Sequence, residues 1–154
     1  MSLNDKKIQE IIDSKDAEIE RLKKLIEAER KTLRETLHEE RDYYENILAC
    51  MPGLVYWLNN ENVYLGCNDT LAQTIGLTSK KEIIGKTNDE MPWKDQAEEM
   101  NHFNTMIMDS GQADSKEESS IFEGVYKTFI SEKIPLFNKK KKVIGLVGHL
   151  VASF

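Results

Sequence analysis

The chain has 154 residues, and its 21 Lys and Arg against 27 Asp and Glu give a formal net charge of −6. This length fits one domain with an extension, and the acidic balance argues against a nucleic-acid surface, because phosphate binding needs clustered, unbalanced basic charge. The two cysteines are too few for a disulfide framework or a metal-binding set. The sequence has no signal peptide, and no apolar run approaches the roughly 20 residues that span a bilayer. We therefore expect a soluble, cytoplasmic segment.

Residues 1–50 are predicted to form one long helix that dimerises as a coiled coil. No Pro or Gly occurs between Leu3 and Cys50. Apolar residues recur every seven positions among charged ones, and after Leu33 the repeat shifts by four residues, which is a stutter. The alternative is a charged single helix, although such a helix gains nothing from an isoleucine at every seventh position. The predicted dimer seam consists of Ile8, Ile12, Ile19, Leu22, Ile26, Leu33, Leu37 and Tyr44.

Pro52 is expected to end this helix, because proline removes a backbone donor and disfavours helical geometry before it. Two β-rich runs at 54–58 and 63–66 flank a polar tetrapeptide and are typical of a hairpin. The hairpin leads to Asn68, a residue type whose side-chain oxygen accepts from the free amides that begin a helix. A short capped helix therefore follows the hairpin.

A second group of helices comes next. Ser79 and Glu82 have the spacing of a capping box, which predicts another short helix. A longer helix is expected from Lys94 to about Ser110, ended by Gly111. Its apolar positions share one face at helical spacing and are expected to face the core. They are Ala97, Met100, Phe103, Met106 and Ile107.

The remainder of the chain is predicted to be strand. A run at 119–122 leads to a turn at 123–124, and a long strand at 125–137 tolerates Pro135 late, near an edge or bulge. The final run, VIGLVGHLV at 143–151, is apolar in both phases of the alternation. Such a strand belongs in the middle of a sheet with a cover on each face.

This order of elements resembles the PAS sensory domain over residues 47–154. The resemblance is carried by VYWLNNENVYLGCND from Val55, by IIGKTNDEMPW at 83–93, and by the closing pair of strands from Lys127. The first two segments are similar to PAS domains of bacterial sensor histidine kinases and response regulators. The resemblance implies an α+β fold over 51–154, with a five-stranded antiparallel sheet, helices on one face and a small pocket between them. It also implies that the preceding helix or a second subunit covers the other face.

Aromatic side chains with polar tips suit a small-molecule pocket that needs a few orienting hydrogen bonds. Strand parity alone does not assign each of these residues to a face, and the alternative is that most of them fill the core. His149 is expected to be packed or hydrogen-bonded within the last strand. The pocket candidates are Tyr56, Tyr64, Trp93, Phe103, Met106, Tyr126 and His149.

The cofactors known from other PAS domains find little support in these residues. Flavin photochemistry requires a cysteine in a short motif before the long helix, where this chain reads GKTNDEMPW. A haem-binding relative uses a histidine on the long helix, but His102 has polar neighbours and we expect it at the pocket margin or in solvent. No phosphate-binding loop or hydrolase motif occurs, so we expect no catalysis and no metal in this segment.

We interpret the chain as a PAS sensing and dimerisation module of a bacterial two-component protein. An ATP-dependent histidine kinase outside these residues is the expected output. The alternatives are a transcriptional regulator, a cyclic-nucleotide enzyme, or a ligand-free dimerisation scaffold. The expected partners are a second copy, through the long helix and the outer sheet face, and the output domain of the same chain, without nucleic acid or membrane. Residues 1–3 resemble an expression leader, and the abrupt end after a strand suggests a piece of a longer protein.

Overall fold

The computed structural model describes residues 1–122 and 124–152, apart from the side chains of 120–122 and 152. Helix α1 spans Leu3–Cys50 without interruption, which confirms the predicted long helix. It begins with a reciprocal cap: the Asp5 amide donates to Ser2 Oγ at 3.1 Å, and the Ser2 amide donates to the Asp5 carboxylate at 2.8 Å. Residues up to Tyr44 form one compact unit, and the chain from Glu45 forms a second. Within the described residues, no helix has both the length and the hydropathy needed to cross a membrane.

The second unit contains the five-stranded antiparallel sheet that the resemblance implies, with strand order β2-β1-β5-β4-β3. The last strand is central, as its two-sided apolar character predicts. Pro135 lies beyond the part of β4 that pairs with β3 and next to an irregularity at residues 136–137, as expected for a proline in a strand. The strands are β1 Leu54–Asn59, β2 Tyr64–Cys67, β3 Asp114–Phe122, β4 Val125–Phe137 and β5 Val143–Ala152.

Strand β3 begins at Asp114, five positions before the predicted start at 119. The missed part reads DSKEE, which lacks the β-branched and aromatic residues by which strands are recognised. As an edge strand, β3 pairs with β4 alone, and such a strand tolerates a polar sequence. Glu123, in the predicted turn between β3 and β4, lies outside the described residues.

Two α-helices and three 3₁₀ helices connect β2 to β3. Asn68 accepts from the Leu71 amide at 3.0 Å and caps α2, and Ser79 and Glu82 form the predicted capping box. Gly111, with φ +66°, ends α3 in the left-handed conformation, which glycine adopts without strain. The α-helices are α2 Asp69–Thr74 and α3 Ala97–Ser110, and the 3₁₀ helices are Lys80–Ile83, Asn88–Glu90 and Lys94–Gln96.

The face of α3 that packs inward differs from the predicted face at Met106, which is exposed, and at Asn104 and Met108, which are buried. Met106 was expected in the core, but 46% of it is exposed, so that prediction is wrong. Asn104 is fully buried instead, because its side-chain oxygen accepts from the ammonium group of Lys133 at 2.8 Å. A polar contact with the sheet therefore sets the rotation of this helix.

The outer face of the sheet carries apolar side chains that the described residues leave exposed. Ile130, Ile134, Ile144 and Val151 are each between 41% and 50% exposed. The central position of β5 is confirmed, and within the described residues of the second unit these side chains of the outer face have no cover.

Candidate functional site

A cavity of about 190 Å³ lies in the second unit. An engineered apolar cavity of about 150 Å³ is known to bind benzene, so this one has room for a single substituted ring. Most of its wall is apolar or aromatic, while one side is charged. The lining residues are Leu54, Tyr56, Leu71, Trp93, Gln96, Glu99, Met100, Lys116, Glu117, Glu118, Ser119, Tyr126, Phe129 and Leu150.

Asn88 fixes the aromatic wall of the cavity. Its side-chain oxygen accepts from the Trp93 indole at 2.9 Å and from the Tyr64 hydroxyl at 2.7 Å. Its amide nitrogen donates to Asn101 at 2.7 Å. Burial raises the pKa of the Tyr64 hydroxyl, which therefore stays protonated and remains a donor. The Trp93 ring is thus held in one orientation by a buried hydrogen-bond network.

Tyr56 reaches the charged side of the cavity by lying across the central strand. It pairs with Gly148 of β5, and a Cβ at that glycine would overlap the Tyr56 ring. Burial is the main cause that raises the pKa of the Tyr56 hydroxyl well above its usual value, and Ser131 lowers it slightly. The two hydroxyls do not meet in hydrogen-bond geometry, and neither has another partner among the described residues.

The charged side of the cavity is built around Glu118 of β3. Its Oε1 atom lies 3.4 Å from both Lys116 Nζ and Lys133 Nζ. Both ammonium groups also lie over the ring of Phe103, at 4.6 and 4.9 Å from its centroid. Burial is the main cause that lowers the pKa of Lys133 to about 8; Glu118 opposes this effect and Lys116 adds to it.

Two contacts connect β3 to the segment where α3 begins. The Gln96 side chain donates to the Ser119 carbonyl at 3.1 Å, and Lys116 Nζ pairs with Glu99 at 3.1 Å. All four residues line the cavity. A molecule that enters it would therefore touch the groups that hold the helix against the edge strand.

The sequence matches the PAS fold family over residues 48–152, which is more than half of the chain. This chain belongs to the PAS family. A search of curated proteins gives no match.

Solved structures show the same fold at low sequence identity. The VqmA dimer of Vibrio cholerae aligns with a TM-score of 0.67 and 20% identity, over 71% of this chain and 49% of that one. The PAS domain of Bordetella pertussis BvgS aligns with a TM-score of 0.65 and 19% identity, over 75% of this chain and 88% of that one. A PAS domain from Colwellia psychrerythraea aligns with a TM-score of 0.60 and 12% identity, over 76% of this chain and 97% of that one. This chain spans about half the length of VqmA, so the comparison concerns the PAS domain and not the whole protein.

The PAS cavity brings together three of the seven residues predicted for a pocket. Tyr56 and Trp93 line it from buried positions, and Tyr126 lines it from an exposed position on β4. The other four are not among its lining residues: Tyr64 and Phe103 are buried beside it, Met106 is exposed, and His149 is bonded elsewhere. Their role in ligand binding stays a prediction.

The two histidines of this PAS domain lie away from the lining. His149 Nε2 bonds to the Pro52 carbonyl at 2.7 Å, which confirms the expectation of a hydrogen-bonded residue, and its Nδ1 is 4.0 Å from Glu132. His102 is exposed on α3. Among the described residues, no group of histidine, cysteine and carboxylate side chains has a metal-binding arrangement.

Sequence reasoning missed the charged groups of the site, although one signal was available. Phe129, Ser131, Lys133 and Pro135 alternate along β4 and are all buried. A buried Phe129 would have assigned this phase of the strand to the interior, and Lys133 with it. A lysine in the inward phase of a strand is rare and marks a buried partner.

Proposed function

We propose that this PAS domain is the signal-sensing and dimerisation module of a bacterial signal-transduction protein, with a small molecule in the cavity as its signal. The observation that carries the proposal is the cavity of about 190 Å³, with its aromatic wall and its buried polar groups. A core that served dimerisation alone would gain dispersion contacts by filling this space. The cavity therefore favours sensing over a ligand-free scaffold.

Dimerisation through α1 is the second part of the proposal. The eight seam residues are all exposed on α1, at 44% to 62%. Such a stripe on a helix of 48 residues gains stability when a second helix covers it. The outer sheet face adds further exposed apolar surface. We propose that a second copy covers both surfaces.

For the output, we propose an ATP-dependent histidine kinase in the same chain, outside these residues. Support comes from the resemblance of segments 55–69 and 83–93 to PAS domains of sensor kinases. The second candidate is a transcriptional regulator, favoured by the fold likeness to VqmA, which is described as a dimer in the absence of target DNA, in a complex with ligand and DNA, and as bound to DPO. In either case we propose that this segment makes no nucleic-acid contact, given its net charge of −6.

Sedimentation equilibrium of the purified chain tests the dimer. We expect a dimer at micromolar concentration, and we expect Ile26→Lys to weaken it at least tenfold, because the substitution buries a charge in the seam. Ala17→Lys is the matched control, since it adds the same charge at an exposed position outside the heptad seam. A monomeric wild type, or equal effects of the two variants, would overturn dimerisation through α1.

Autophosphorylation tests the output. The full-length parent protein should transfer phosphate from ATP to one of its own histidines if the kinase assignment is right. Specific retention on DNA without phosphotransfer would instead support the regulator.

A further inference from the structure

Several buried polar atoms beside the cavity have no hydrogen-bond partner among the described residues: the hydroxyls of Tyr56 and Ser131, the amide nitrogen of Asn104 and the Oε1 atom of Glu118. The groups of Tyr56, Ser131 and Asn104 can each donate, whereas Glu118 Oε1 only accepts. Tyr56 is buried and lines the cavity, and Ser131 and Asn104 are fully buried. The nearby carboxylate, that of Glu118, is shared between two ammonium groups. A buried donor without an acceptor is destabilising, so a ligand that offers an acceptor to the Tyr56 hydroxyl would stabilise this site.

The charged side chains beside the cavity also favour a ligand that brings negative charge. The Lys133 side chain is 0% exposed and that of Lys116 28%, against 14% for Glu118. The second carboxylate near these lysines belongs to Glu99 and is 75% exposed, so solvent and salt screen its attraction. Glu117 also lines the cavity but is exposed. The less exposed part of the cluster, formed by Lys133, Glu118 and the partly exposed Lys116, therefore holds two positive charges and one negative charge. The mutual repulsion of the two lysines contributes to the lowered pKa of Lys133.

We propose that the ligand of this cavity is a small organic carboxylate, whose anionic group accepts hydrogen bonds from Lys116 and from the Tyr56 hydroxyl. The inference rests on the proposed sensing function of the same cavity. One carboxylate supplies the missing negative charge and several acceptor sites, and its charge-assisted bonds are about twice as strong as neutral ones. The volume limits the rest of the ligand to about one substituted ring.

Such a ligand would also act on the contacts between α3 and β3. Lys116 holds Glu99 of α3, and a ligand carboxylate competes with the exposed Glu99 for the same ammonium group. Of the contacts described above between β3 and the region of α3, binding would then leave the Gln96 hydrogen bond to Ser119 and the contact of Lys116 with the Phe103 ring. Occupancy of the cavity is thereby linked to how firmly α3 is held against the edge strand β3.

Three ring compounds of similar size test the inference: phenylacetate, phenylacetamide and phenethylamine. Each is titrated into the dimeric chain by calorimetry, with thermal unfolding as a second readout. We expect phenylacetate to bind at least tenfold more tightly than the other two. Lys116→Met should remove this preference and Lys116→Arg should retain it. Lys127→Met, at an exposed position of β4 outside the lining, should leave it unchanged.

Two kinds of outcome would count against the inference. If the amide or the amine binds as well as phenylacetate, the anionic class is wrong while the cavity remains a ligand site. If none binds, native mass spectrometry of protein taken from cells decides. A carboxylate-bearing adduct upholds the inference, and a neutral or cationic adduct overturns the anionic class alone. A bare chain overturns both the inference and the sensing proposal.

Discussion

Replacing Lys133 by methionine is expected to change how the stability of this PAS domain depends on pH. Lys133 is fully buried, and burial is the main cause that lowers its pKa from 10.5 to about 8. Between these two values the unfolded chain binds a proton that the folded chain does not, so the free energy of unfolding rises with pH. Over this whole pH interval the free energy of unfolding should rise by roughly 3 kcal/mol, of which about 2 kcal/mol falls between pH 8 and pH 10.

The upper limit of the comparison is set by two tyrosines. The pKa values of Tyr56 and Tyr64 are raised by burial above their ordinary value of 10.0. Above that pH the unfolded chain loses phenolic protons that the folded chain retains, so stability falls again. Burial also raises the pKa of the Cys67 thiol from 9.0 to about 11, and its opposing effect, which begins near pH 9, is common to the wild type and Lys133→Met. The effect of Lys133 is therefore measured between pH 8 and pH 10.

Equilibrium urea unfolding at a fixed protein concentration is the assay, because the stability of the proposed dimer would depend on concentration. The wild type should gain about 2 kcal/mol over this interval relative to Lys133→Met. Lys127→Met, which removes a solvent-exposed lysine from the same strand, controls for the loss of one positive charge. Parallel profiles for the wild type and Lys133→Met would show that Lys133 does not titrate as a buried group, and would refute the reasoning.

Three further substitutions test the structure around the cavity. Asn68→Ala should lower the free energy of unfolding by about 2–4 kcal/mol, because this buried side chain makes three hydrogen bonds; a loss below 1 kcal/mol would contradict its role as a cap. Gly148→Ala should lower the free energy of unfolding by about 1–3 kcal/mol, because it displaces the Tyr56 ring. The loss should be much smaller in a Tyr56→Leu background, and equal losses would mean that the two residues are not coupled. Asn88→Ala should shift the fluorescence of Trp93 to longer wavelength, because water would take the place of the Asn88 oxygen beside the indole. An unchanged spectrum would contradict this.

Much of the fold could be predicted because its signals are local. The hairpin, the Asn68 cap, the Ser79 capping box and the end of α3 at Gly111 each depend on a few neighbouring residues. The central position of β5 could be predicted as well, since apolar residues in both phases are unusual outside the middle of a sheet. The start of β3 could not, because its polar residues become strand only through pairing with β4.

The site was less accessible to sequence reasoning because its key contacts join distant parts of the chain. Asn104 is polar on a helix whose apolar face suggested Met106, and it is buried only because Lys133 lies opposite on the sheet. Glu118 and Lys116 lie in the part of the chain where strand signals are weak or absent. Aromatic character selected Tyr56, which lines the cavity, but it carried no information about the charge of Glu118 that acts on its hydroxyl.

Native mass spectrometry of the chain purified directly from cells tests the central claim most directly. The account predicts a dimer that carries a small non-covalent adduct, which is released on denaturation and lost when Leu150→Trp fills the cavity from its lining. A bare dimer in both cases, with a thermal unfolding midpoint unchanged by the small-molecule fraction of the cell extract, would contradict a sensing role for the cavity. It would leave this PAS domain as a dimerisation scaffold.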